Sequence, residues 1–92
     1  MSDVDQLLKE RGQQWGDAIS THERIAAAWT ATLGHIVNPV DVVLMMIQLK
    51  AIRAQINPDE KDSFDDIEGY ARIAKWIMGH EANPELQKGL PF

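Results

Sequence analysis

The chain has no cysteine, which removes disulfides, thiolate nucleophiles and Cys-based zinc or iron–sulfur sites together. A secreted domain this small is usually stapled by disulfides, so their absence favours the cytoplasm. Long apolar runs are also missing. The longest, Val42 to Ile47, is followed by Gln48 and Lys50 and falls far short of the roughly 20 residues needed to cross a bilayer. The opening residues Met1-Ser2-Asp3 carry neither a basic region nor an apolar stretch, so no secretory signal is expected. Basic residues are few: nine Lys and Arg stand against fourteen Asp and Glu, for a net charge of −5. Tight non-specific binding to nucleic acid releases counterions through Lys and Arg, so that role is disfavoured. There is no strand-like alternation, internal repeat or low-complexity segment, and no H-E-x-x-H, nucleophile elbow or Walker-type loop.

What is present folds. With 45% hydrophobic and 25% charged residues in 92, the composition is that of one small globular domain. A domain of this size buries only about 60–65% of its unfolded surface, which makes self-association a natural way to gain burial. A homo-oligomer, simplest as a dimer, is therefore expected.

The apolar periodicity predicts an all-α fold of four helices in a single domain over residues 1–92. The first helix is expected over 3–11 with Gly12 as its stop, and residues 12–17 as a loop. The second is expected over 21–33, opened by a Ser20/Glu23 capping box and closed by Gly34. The third is expected over 39–56, between Asn38-Pro39 and Asn57-Pro58. It is apolar around much of its circumference, which predicts a central, deeply buried element. The fourth is expected over 63–78, capped by Asp62 or Ser63, with Phe64, Ile67, Ala71, Ala74 and Met78 on one apolar stripe and Tyr70, Ile73 and Ile77 on another. Helices three and four should form an antiparallel hairpin. The tail, 80–92, has a candidate turn at Asn83-Pro84.

Lys50 and Arg53 are one turn apart on the most apolar helix, so their charged heads must reach solvent or find partners. A hairpin turning near residue 59 or 60 puts Arg53 opposite Asp66 and Lys50 opposite Gly69. One reading is an inter-helix salt bridge with dipole-favoured acids at a helix start. The other is a phosphate site, in which Lys50 and Arg53 hold phosphate oxygens and Asp62, Asp65 and Asp66 hold a divalent ion such as Mg2+. Gly69 costs about 1 kcal/mol in a helix interior, so a packed helix or a ligand should approach it closely. Tyr70 suits either the core or the rim of a pocket. Arg11, Trp15 and Asp17 lie in a glycine-flanked segment that offers a donor, a stacking face and an acceptor, or else a core cap and a tied turn. His22, near the mouth of that segment, reads as a hydrogen-bonded structural residue or a ligand contact.

The ordered set Arg11-Gly12-x-x-Trp15-Gly16-Asp17, His22-x-Arg24-Ile25-Ala26, Lys50-x-x-Arg53 and Asp62-Ser63-x-x-Asp66-x-x-Gly69-Tyr70-Ala71 resembles a family of small uncharacterised phage and prophage proteins. The resemblance covers about residues 10–74. Trp15 stands where that family has Tyr or His, and Met45 where it often has Asp. The helical motifs are more distantly similar to the nucleotide-modification-associated helical domain and to MazG-like all-α nucleotide pyrophosphatases. Those enzymes hold Mg2+ with Glu-x-x-Glu on one helix and Glu-x-x-Asp on the next. Here Asp62-x-x-Asp65, or Asp66, could answer to the second motif, while Lys50 and Arg53 occupy the first. The resemblance implies a helical module that binds a phosphorylated ligand, a nucleotide above all. The alternatives are a homo-oligomeric interaction module with a host or phage partner, and a divergent nucleotide pyrophosphatase.

Overall fold

The computed structural model describes residues 3–82, and of Asp3 and Trp15 the backbone alone. Four helices follow one another: α1 (Asp3–Trp15), α2 (Ala18–Leu33), α3 (Pro39–Ile56) and α4 (Lys61–Ile77). No strand occurs among the described residues, as the periodicity predicts. The expected turn at Asn83-Pro84 lies outside them.

Helix starts and stops follow from local chemistry, in places differently from expectation. Gly12 does not stop α1. It stays helical and its carbonyl accepts from the Gly16 amide at 2.9 Å, and the break comes at Gly16, whose φ of 88° is left-handed. The Ser20/Glu23 capping box does not open α2. The buried Asp17 is the N-cap, its carboxylate accepting from the Ser20 amide at 2.9 Å, which starts the helix three residues sooner. Gly34, at φ 74°, closes it. Thr30 then fastens the connection to α3, its hydroxyl accepting from the Val37 amide at 2.8 Å. The bounds of α3 are those expected: Pro39 occupies the first turn and the Asp41 carboxylate reaches back to the Asn38 amide at 2.9 Å. Helix α4 begins at Lys61 with Glu60 as N-cap, two residues ahead of the expected start. Ser63 is buried there instead of capping.

The α3–α4 pair is the most extensive helix contact, as expected, but α4 rather than α3 is the hub. Helix α4 packs on all three others, whereas α3 packs on α2 and α4, and its backbone does not approach α1. Val43, Ile73 and Trp76 form the core, with Leu8, Ala18, Ile19, Ile47, Tyr70, Ala74 and Ile77 around them. The expectation of a deeply buried third helix is corrected. Val42, Val43 and Ala54 are buried, while Leu44, Met45, Leu49, Ile52 and Ile56 face outward. Nor is the Phe64–Met78 stripe of α4 its core face: Phe64, Ala71 and Met78 are exposed. The α4 face that packs inward is Ser63, Gly69, Ile73 and Trp76.

Candidate functional site

Lys50, near the C-terminal end of α3, and Asp66, in the second turn of α4, form an ion pair with Nζ 2.8 Å from Oδ2. Their side chains are 18% and 14% exposed. Arg11 of α1 approaches the other carboxylate oxygen, Nη2 to Oδ1 at 3.6 Å, and is itself half in solvent at 54%. Two cations from helices that do not pack on each other thus converge on one carboxylate of the helix between them.

This pairing differs from the hairpin register expected from sequence. Because α4 begins at Lys61, the turn covers only residues 57–60. The point of symmetry therefore falls earlier, and Lys50 instead of Arg53 meets Asp66. Arg53 is exposed, one turn further along α3, and takes part in no ion pair among the described residues.

One turn beyond Asp66 the Tyr70 ring meets His22 of α2 edge to face, with centroids 6.0 Å apart and planes at 89°. His22 is buried, and its Nδ1 lies 2.7 Å from the Ala18 carbonyl oxygen. A carbonyl can only accept, so Nδ1 donates in this contact. Gly69, beside Tyr70, faces α1: a Cβ built there would lie 3.6 Å from the Cδ2 atoms of both Leu7 and Leu8. It is a helix, then, that approaches Gly69. The Asp17 carboxylate is engaged in capping α2, and the expected place of the Trp15 ring lies outside the described side chains.

The three aspartates do not converge. Asp65 is paired with Lys61 on its own helix, Asp66 is held by Lys50 and Arg11, and Asp62 is exposed in the first turn. Among the described residues no three His, Asp or Glu side chains are grouped so as to hold a metal ion. Nor is any helix there long and apolar enough to cross a membrane.

A second polar cluster, missed by sequence reasoning, ties α1 to the end of α4. Arg72 Nη1 lies 2.7 Å from Asp5 and its Nε 3.2 Å from Glu81, and the same Glu81 carboxylate accepts from the Trp76 indole at 3.0 Å. Asp5 and Arg72 are sixty-seven positions apart, and no local spacing announces such a pair.

Residues 1–78 match the family model described as Domain of unknown function (DUF6378). The Gene 55 protein of Mycobacterium phage L5 is 45% identical over 65 residues, which cover 70% of this chain and 42% of that protein. The match thus spans less than half the length of the curated relative. No solved structure matches the chain. The matched region takes in all four helices and both arms of the Lys50–Asp66 hairpin, and on that evidence the chain belongs to the family described as Domain of unknown function (DUF6378), with kin among phage proteins.

Proposed function

We propose that the Arg11–Lys50–Asp66 cluster binds an anionic, phosphate-bearing ligand, in the simplest case a nucleotide. One observation carries this reading: two cations share a single carboxylate, so the cluster holds surplus positive charge in a chain whose net charge is −5. Asp66 holds the Lys50 ammonium in place, and the half-exposed Arg11 guanidinium offers the planar fork that suits phosphate oxygens. Arg53, exposed one turn from Lys50, adds a third cation at the rim. Tyr70, half-buried one turn along α4 from Asp66, supplies an aromatic ring for the ligand's base. The contribution of this chain is binding.

The test is a thermal-shift series with inorganic phosphate and nucleoside mono-, di- and triphosphates, each with and without Mg2+. A ligand at a hundredfold excess over its Kd stabilises by about 2.7 kcal/mol, or a rise in Tm on the order of ten degrees or more in a domain this small. Lys50→Ala and Arg11→Ala should abolish the rise while the helical circular dichroism persists. No rise with any phosphate compound, or a rise that both variants retain, would overturn the reading.

A further inference from the structure

On the outer face of α3, Met45, Leu49, Ile52 and Ile56 are 46%, 39%, 58% and 79% exposed. Their spacing of four, three and four residues is that of a coiled-coil seam, which places them on one narrow line along the helix about 16 Å long. The flanking positions carry Gln48 and Gln55 on one side and Arg53 on the other. None of the four is among the hydrophobic residues packed on the Val43–Ile73–Trp76 core, and the buried side of α3 is carried by Val42, Val43 and Ala54.

We infer that this seam is the contact surface for a second copy of the chain, packed antiparallel about a two-fold axis between Leu49 and Ile52. Two features select that occupant. The first is the symmetry of the spacing, which reads the same in both directions. In an antiparallel pair Met45 of one copy meets Ile56 of the other and Leu49 meets Ile52, so every apolar residue has an apolar partner, as a self-complementary two-fold interface requires. The second feature is area. A free side chain of this size presents roughly 200 Å², so the four exposed fractions leave on the order of 400 Å² of apolar surface in water. A stable pair buries about 800 Å² per partner, of which about two-thirds is apolar in homodimers, and the seam supplies most of that apolar share. The inference does not rest on the phosphate reading: Lys50 faces α4, and Arg53, the one cation the two surfaces share, only flanks the seam.

Sedimentation of the chain at tens of micromolar tests it. The expected result is twice the chain mass, falling to one chain mass for Ile52→Glu with the helical circular dichroism unchanged. The absence of native cysteine allows a second measurement that does not depend on that variant folding. Met45→Cys and Ile56→Cys should cross-link with each other on oxidation when mixed, and neither should cross-link with itself. A wild-type monomer would overturn the inference, as would the seam being covered by residues 83–92 or by a different protein. Self-cross-linking of Met45→Cys would overturn the antiparallel arrangement.

Discussion

The Lys50 ammonium lies 2.8 Å from the Asp66 carboxylate, and both side chains are more than four-fifths covered. A surface pair of the same chemistry stands nearby in Lys61 and Asp65, where the lysine is mostly in water. The two pairs differ in covering, and covering decides what a charge is worth.

Removing one partner of a covered pair strands the other away from water, which costs 3–5 kcal/mol for full burial and about 2 kcal/mol for a pair that keeps some solvent contact. Asp66→Ala should therefore destabilise the fold by about 2 kcal/mol. Lys61→Ala should cost under about 0.5 kcal/mol, since an exposed pair one turn apart contributes little. Urea unfolding of both variants checks this, and equal losses would contradict it.

Gly69→Ala should stabilise. The added Cβ meets Leu7 and Leu8 at ordinary contact distance, 3.6 Å, while a helix interior gains up to about 1 kcal/mol when Ala replaces Gly. Thermal unfolding reads the sign directly. A fall in Tm would mean that the bare backbone at position 69 is needed within the fold. A rise in Tm together with loss of a phosphate response would mean that a ligand needs it.

Asp17→Ala removes a buried N-cap acceptor and should cost about 1–2 kcal/mol, whereas Ser20→Ala, at an exposed position inside α2, should cost a few tenths. The reverse order in a denaturant titration would return the start of α2 to Ser20.

Val43→Ala should cost about 2–3 kcal/mol, since Val43 is fully buried in the core and its truncation leaves a cavity. Ile56→Ala, by contrast, removes a side chain that is mostly in water. It should leave unfolding of the separate chain unchanged and weaken self-association instead, which makes the concentration dependence of Tm the measurement that separates the two effects.

The bounds of α3 were legible because Asn38-Pro39 and Asn57-Pro58 bracket an unbroken apolar helix, and local chemistry at both ends agrees. The start of α2 was not, because Asp17 and Ser20 are both good caps and burial of the Asp17 carboxylate decides between them. The choice between Gly12 and Gly16 as the end of α1 was hidden for a similar reason. Either glycine can take a left-handed turn, and only the packing of α1 on α4 decides which one does. In the site, the residue types and the helices that carry them could be read, but not the pairing. The two-residue shift at the start of α4, which shortens the turn to 57–60, puts Lys50 in the place expected for Arg53 opposite Asp66. Helix α3 misled for a more general reason: an apolar circumference does not say which neighbours will come, and among the described helices only α2 and α4 pack on it.

Helix α1 has no backing from α3 and rests on α4 and, more lightly, on α2. Among its attachments are the buried Val4, the two leucines over Gly69 and two ionic contacts, Arg11 with Asp66 and Asp5 with Arg72. Such an element can swing away as a unit while the α3–α4 hairpin stays folded, so its amides should exchange with deuterium well ahead of those in α4. Added salt weakens both ionic contacts and should widen that gap. Each such opening would carry Arg11 away from Asp66 and bare the Lys50–Asp66 pair to solvent.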